Sequence, residues 1–248
     1  NKKNKIKIID DSKKEIIVFV GDSVTYGGSY IDNSELFSNL YCLKNSQFLC
    51  LNSGLNGWGT YNMGRFIYNF SIYSERIPSK FVLVILPGDD QRGIAQLETL
   101  PYWTSSPRYP RAINELINYS IWRYKSFFLG GNSINERKNN FEKSEIKSRT
   151  IKHSWVDLYN YIKYSEAGVD IIITPPKYWF ENSEKFQSEI SLYDNYLLEI
   201  SKNPKVLKTC NLYHKIKNDF YSDDYFDSVH LSKTGHEKWA KNIDLCLK

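Results

Sequence analysis

Apolar and polar positions along the chain divide it into short apolar runs separated by stretches with helical spacing. Five runs have the length and β-branched content of strands: EIIVFVGDS (15–23), QFLCLNSG (47–54), KFVLVILPG (80–88), VDIIITPP (169–176) and KVLKTCNLY (205–213). Helical stripes lie between them. Leu36, Leu40 and Leu43 begin one; Met63, Ile67, Phe70 and Ser74 follow as a second. Ile113, Leu116, Ile117, Ile121 and Tyr124 mark a third, closed by Gly130-Gly131. Ile151, Trp155, Leu158 and Ile162 mark a fourth, and Phe186, Ile190, Tyr193, Leu197 and Ile200 a fifth, at spacings of about three and four. A last helix is predicted from about Thr234 to Leu247, with Ser232 or Thr234 as its cap and Trp239 as its core anchor.

Strands that alternate with helices, and that are apolar almost throughout, predict a parallel sheet covered on both faces. The expected architecture is therefore α/β, a three-layer α/β/α sandwich around a five-stranded parallel sheet. No Pro/Ser-rich linker and no repeat divides the chain, so residues 1–248 are expected to form a single domain. Residues 93–168 form a helical excursion between the third and fourth strands, and it includes the aromatic loop TLPYWTSSPRYP at 99–110. The first three strands end in Gly-Asp-Ser, Asn-Ser-Gly-Leu-Asn-Gly and Gly-Asp-Asp. Open parallel sheets bind ligands at that carboxyl edge.

Composition changes this picture little. The chain has 248 residues, 41% of them hydrophobic, enough for one sizeable core. Net charge is +5, with the lysines scattered along helical stretches such as 138–152. That pattern reads as solvated helix faces and argues against nucleic acid as a partner. No run reaches the ~18 apolar residues of a membrane span, so this segment is not expected to contact a membrane. A first residue of Asn rather than Met leaves room for an upstream signal peptide or anchor, and an extracytoplasmic or membrane-anchored location is suspected. Cysteines stand at 42, 50, 210 and 246 without a C-x-x-C pair, which gives no support to a zinc or redox motif. Two bridges in one of three pairings are conceivable; for a domain of this size free, buried thiols are the favoured expectation.

Two stretches carry candidate chemistry. In GDSVTYG (21–27) a Ser directly follows a buried strand, where its hydroxyl projects at a sharp turn and backbone N–H groups gather. Ser23 as a plain helix N-cap is the competing interpretation. In YFDSVHLSKTGHEKWA (225–240), Asp227 and His230 are three residues apart, a spacing that brings the carboxylate to imidazole Nδ1 and leaves Nε2 as a base. His153, His214 and His236 are expected to be ordinary backbone-bonded histidines, His236 on the surface of the first turn of its helix.

With GDSVTYG (21–27), NSGLNGWGT (52–60), VILPGDDQRG (84–93) and DSVHLSKTGH (227–236) in this order at successive strand ends, the chain resembles the SGNH/GDSL hydrolase family over most of its length. The resemblance implies a flavodoxin-like SGNH fold and a serine esterase or O-acyltransferase working through an acyl-enzyme. It needs no cofactor and no metal. It implies Ser23 as nucleophile, His230 as general base and Asp227 as its orienter. The oxyanion hole it implies uses the N–H of Ser23, the N–H of Gly57 and an Asn side-chain amide in the third block. The substrate would be a small-molecule or glycan ester, an O-acetylated glycan in particular.

One position departs from that pattern. Asp90 matches the family's structural Asp, but Asp89 stands where the Asn is expected. An ionised carboxylate has no proton to donate and repels an oxyanion. A protonated Asp89 would restore a donor. Alternatively Asp89 turns away and Asn56 or Gln91 replaces it, or the site has lost efficient hydrolysis. Trp58 is a candidate pocket-lining residue, and Tyr102, Trp103 and Tyr109 could form an aromatic lip for a sugar ring or cap the excursion's core. Two rival functions fit parts of the pattern: a non-catalytic carbohydrate- or partner-binding module on this fold, and Mg²⁺-dependent phosphotransfer through Asp22, Asp89 and Asp90.

Overall fold

A computed structural model of the chain describes residues 14–28, 30–92 and 151–247, with side chains in the last segment described from Ser154 onward. The third predicted helix and the 99–110 loop lie outside the described residues. Five parallel strands, β1 (Glu15–Gly21), β2 (Phe48–Gly54), β3 (Lys80–Ile85), β4 (Gly168–Ile173) and β5 (Val206–Asn211), form one sheet in the order β2-β1-β3-β4-β5. Helices α1 (Ser23–Tyr26), α2 (Phe37–Lys44), α3 (Thr60–Tyr73), α4 (Ile151–Lys163), α5 (Lys177–Glu181), α6 (Ser183–Ile200), α7 (Tyr213–Ile216) and α8 (Lys233–Leu247) alternate with them. This is the predicted three-layer architecture, and every predicted strand is present. Every strand but β2, which ends at Gly54 as its run does, is shorter at its carboxyl end than its apolar run. Gly88, Pro87, Pro175 and Pro176 follow the strands rather than extending them, because proline cannot donate to a central ladder.

Side chains alternate across a strand, so one apolar run feeds two cores. Ile16, Val18 and Val20 of β1, with Phe81, Leu83 and Ile85 of β3, pack under α3, α4 and α6. Ile17 and Phe19, with Val82 and Val84, pack under α2, α7 and α8. The fourth and fifth stripes fall where predicted: Trp155, Leu158 and Ile162, and Ile190, Tyr193, Leu197 and Ile200, are all buried in the first core. The first stripe holds at Leu36, which is buried, and at Leu40, which packs half-buried on the second core, and fails at Leu43. Leu43 is 73% exposed, and α2 buries Phe37, Ser38 and Tyr41, with Phe37 and Tyr41 one helical turn apart. Trp239 is fully buried against Phe37, as an anchor of α8 should be.

Chain order and sheet order differ at β1. The chain leaves β1 toward β2 on one side and returns past it to β3 on the other. The crevice at such a reversal is where an open α/β sheet presents loops to a ligand, and it brings the ends of β1, β2 and β3 together.

The expectation of free thiols is overturned. Cys42 of α2 is bonded to Cys50 of β2, and Cys210 of β5 to Cys246 of α8, with Cα atoms 5.9 and 5.6 Å apart. Size alone was the wrong criterion: both bridges join an edge strand to the helix beside it on the same face, positions the one-dimensional spacing conceals. A native bridge typically contributes about 2–4 kcal/mol, more for the longer loop. Replacing Cys210 and Cys246 by Ser should therefore lower the urea midpoint more than replacing Cys42 and Cys50. Equal shifts would show that loop length does not set the difference, and absent shifts that neither bridge constrains the unfolded chain.

Candidate active site

Ser23 is the first residue of the single-turn helix α1, directly after β1. It is not the N-cap. Asp22 takes that role, its Oδ1 accepting from the Val24 N–H at 2.9 Å. The helix ends at once at Gly27, whose φ of +90° only glycine adopts readily. With its backbone fixed on both sides, Ser23 keeps its hydroxyl free to face the loop before α8. There Asp227 Oδ1 accepts from the N–H groups of Val229 and His230, both at 2.8 Å, which closes an Asx-type turn. The turn places Asp227 Oδ2 2.6 Å from His230 Nδ1 and His230 Nε2 2.9 Å from Ser23 Oγ. The carboxylate can only accept, so Nδ1 carries the proton and Nε2 presents a lone pair to the Ser23 hydroxyl. Burial works to raise the Asp227 carboxyl, but the bonds from His230 N–H, Val229 N–H and the imidazole more than offset it and hold it below the usual carboxylate range.

The second block supplies a loop rather than a side chain. Asn52 donates to Thr25 O at 2.7 Å and to Ser38 Oγ at 3.1 Å, and its Oδ1 accepts from the Gly54 N–H. This ties the end of β2 onto α1. A Cβ at Gly54 would stand 2.3 Å from Tyr26 N, so only glycine permits that approach. Gly57 follows at φ +79° with open space where a side chain would be. Among the described residues, no hydrogen bond engages the N–H of Ser23 or of Gly57, and both residues line one cleft of about 400 Å³.

Three buried carboxyl groups stand at the ends of β1 and β3. Asp90 is a structural residue, as the resemblance implied: Oδ1 accepts from Tyr193 Oη at 2.9 Å and Oδ2 from Trp155 Nε1 at 3.2 Å. Asp89 does not line the cleft. It turns inward, Oδ2 accepting from the Leu86 N–H at 2.9 Å, while Oδ1 stands 2.9 Å from Arg92 Nη1. Of the alternatives open at this position, the turned-away side chain is the observed one, and Asp89 as an oxyanion donor is corrected. Gln91 does not replace it in the cleft wall; Asn56 and Arg92 do reach that wall. Arg92 Nη1 also donates to Asp22 Oδ2 at 2.9 Å and to Trp58 O at 3.3 Å. The guanidinium thus occupies the place between Asp22 and Asp89 that a Mg²⁺ would need, and Asp90 is engaged elsewhere. Among the described residues no cluster of three or more His, Cys, Asp or Glu is arranged to hold a metal. Burial, then the charge of Asp22, pushes the Asp89 carboxyl well above its ordinary range, against the pull of Arg92 and the Leu86 N–H.

Trp58 packs on Phe66 instead of lining the cleft. The aromatic wall comes from residues the sequence did not single out: Tyr30 lines the cleft, donates to Leu231 O at 3.3 Å and stacks on Phe226 with centroids 4.2 Å apart. Burial, then the Asp227 charge, pushes its phenol up to about 12, so it stays a neutral donor. The tyrosines and tryptophan of the predicted lip lie outside the described residues, as does the side chain of His153. His236 is buried, not on the surface; its Nδ1 accepts from the Phe37 N–H at 3.3 Å, and burial pushes it down to about 4. His214 pairs with the carboxylate of Asp194 at 2.9 Å rather than with backbone.

No protein-family model and no curated protein matches the chain in sequence. In structure it is similar to a lipolytic protein of the G-D-S-L family from Veillonella parvula, with 12% identity and a TM-score of 0.56 over 93% of this chain and 97% of that one. It is similar to the psychrotrophic esterase EstA from Pseudoalteromonas sp. (15% identity, TM-score 0.53, 94% of this chain and 97% of that one). An acetylxylan esterase from Geobacillus stearothermophilus gives 13% identity and a TM-score of 0.52 over 92% of each chain. The chain has the SGNH/GDSL hydrolase fold, as its four sequence blocks implied.

The raised Asp89 carboxyl has a measurable consequence. A carboxyl that binds its proton more tightly folded than unfolded costs stability as pH rises above the ordinary carboxyl range of about 4. The amide of an Asp89→Asn variant cannot ionise. The stability of wild type minus that of Asp89→Asn, from urea unfolding, should therefore fall between pH 4 and pH 7. A difference that grows with pH would show that the Arg92 ion pair outweighs burial.

Proposed function

We propose that the protein is a serine esterase or O-acyltransferase acting through an acyl-enzyme on Ser23, in one catalytic domain. The observation that carries this reading is the unbroken chain from Ser23 Oγ to His230 Nε2 at 2.9 Å and from His230 Nδ1 to Asp227 at 2.6 Å. A serine hydroxyl is a weak nucleophile until a base takes its proton as it attacks. Here His230 Nε2 accepts that proton while Oγ bonds to the ester carbonyl carbon. The carbonyl π electrons move onto oxygen, and the N–H groups of Ser23 and Gly57 face the resulting oxyanion. Collapse breaks the bond to the leaving alkoxide, which takes the proton from His230. Water or a sugar hydroxyl then attacks the acyl-Ser23 carbonyl and gives its proton to His230. The second oxyanion collapses, the Ser23 Oγ–acyl bond breaks, Oγ takes the proton back from His230, and the acyl group leaves as acid or new ester. Asp227 stabilises the imidazolium formed in each half-reaction.

A carbohydrate O-acyl ester is the substrate class we favour. The stacked Tyr30 and Phe226 rings present an aromatic face beside the cleft, of the kind that sugar rings pack against, and one structural neighbour is an acetylxylan esterase. The two disulfides fit an oxidising compartment, where such esters on secreted or surface glycans are found. A purely binding role has one observation in its favour, the carboxylate at position 89, and it leaves the Ser23–His230–Asp227 chain without a purpose.

Incubation with p-nitrophenyl acetate should release nitrophenol and leave Ser23 transiently acetylated, as found by peptide mass analysis. Ser23→Ala should abolish both, and Asp227→Ala should lower turnover by about 10²–10⁴-fold. Wild-type turnover equal to that of Ser23→Ala, with no acylated serine, would overturn the enzyme reading in favour of the binding one. Phe226→Ala should raise KM for an acetylated xylo-oligosaccharide while leaving KM for the aryl acetate unchanged. An equal effect on both substrates would remove the sugar-stacking role.

A further inference from the structure

The departure at position 89 removes a neutral donor, yet the cleft wall beside it carries a cation. We infer that Arg92 is a catalytic residue whose guanidinium donates to the oxyanion formed at Ser23, in place of the amide that Asp89 displaces. This rests on the acyl-enzyme reading above.

Position comes first. Arg92 lines the same cleft as Ser23 and Gly57. Its Nη1 and the Ser23 hydroxyl meet one oxygen, Asp22 Oδ2, at 2.9 and 3.4 Å. The guanidinium and the nucleophile are therefore no further apart than those two distances together. Nη1 also lies 2.9 Å from Oδ1 of Asp89, the residue at the sequence position where the resemblance places an amide.

Donor capacity is second. A guanidinium has five N–H groups. Asp22, Asp89 and Trp58 O all approach Nη1. Among the described residues nothing engages Nη2 or Nε, so the fork still has donors for a further oxygen.

Rigidity is third. Oxyanion stabilisation depends on donors that need not reorganise as charge develops. Asp22 and Asp89 are both fully buried and hold Arg92 at a fixed place. Asn56, which also lines the cleft, is exposed and has no side-chain hydrogen bond among the described residues to hold it. Charge is fourth. Two carboxylates so near the nucleophile would oppose an oxyanion if left alone. Arg92 faces both, offsets that opposition and is the group that reaches the cleft wall. The inward turn of Asp89 then has a purpose, that of an anchor for the cation.

The test compares wild type, Arg92→Gln, Arg92→Lys, Asn56→Ala and Ser23→Ala on p-nitrophenyl acetate, with phenylboronic acid as a second probe. Boron bonds to Ser23 Oγ and becomes a tetrahedral anion, so its affinity reports oxyanion stabilisation without turnover. Arg92→Gln should lower kcat by about 10²–10³-fold with little change in KM, and weaken phenylboronic acid to a comparable degree. Arg92→Lys keeps the cation the buried carboxylates need and so guards against misfolding; it should lose less than the Gln variant. Asn56→Ala should lose far less of kcat than Arg92→Gln. Unchanged kcat in both Arg92 variants, an effect confined to KM, or boronate affinity indifferent to residue 92 would overturn the inference while leaving the esterase reading in place. A wild type no more active than Ser23→Ala, with no Ser23-dependent boronate binding, would sink the esterase reading itself and this inference with it.

Discussion

Three carboxyl groups buried at the ends of β1 and β3 are the constraint around which this site is organised. A carboxylate withdrawn from water is costly unless charge or hydrogen bonds compensate it. Asp22 is held by the Val24 N–H and Arg92, Asp89 by the Leu86 N–H and Arg92, and Asp90 by Tyr193 and Trp155. Each compensation fixes something the site needs. Asp22 starts the helix that presents Ser23. Asp90 ties the third strand's loop to α4 and α6. Arg92 takes its place because two acids require it there.

Much of this was legible in one dimension. The strands announced themselves because a sheet covered on both faces requires apolar residues at nearly every position, as Phe81 to Ile85 show. Ser23, Asp227 and His230 were legible because turn chemistry is local: a strand end, an Asx turn and a three-residue spacing set their geometry before the fold closes. The place of Gly57 in the cleft was anticipated only through the family resemblance. Arg92 was missed, because nothing in the stretch Asp-Asp-Gln-Arg says which side chain turns inward and which faces the cleft. That choice depends on Asp22, seventy residues earlier. Tyr30 and Phe226 were missed for the same reason, since their stacking joins segments from opposite ends of the chain.

The histidines teach a complementary lesson. His236 follows Gly235 in the first turn of α8, where a polar residue ordinarily faces water. Here Phe37 stacks on its ring and donates a backbone N–H to Nδ1, so burial and a single acceptor contact keep it neutral. His230, six residues earlier, is held by a carboxylate and faces a hydroxyl. Sequence proximity placed both near the same loop; the partner atom decides which of them can serve as a base.

Among the described residues the five-stranded sheet has two rims, β2 and β5, whose outer edges have no strand partner. Such rims are templates on which another chain can add a strand. In this protein each rim strand is welded to the helix lying over it, β2 through Cys50 and β5 through Cys210. A rim strand cannot peel away to trade places with its counterpart in a second molecule unless a covalent bond is first cut. The bridges therefore guard against intermolecular strand exchange and the fibrous association it seeds, a protection suited to conditions where no chaperone is at hand to undo it.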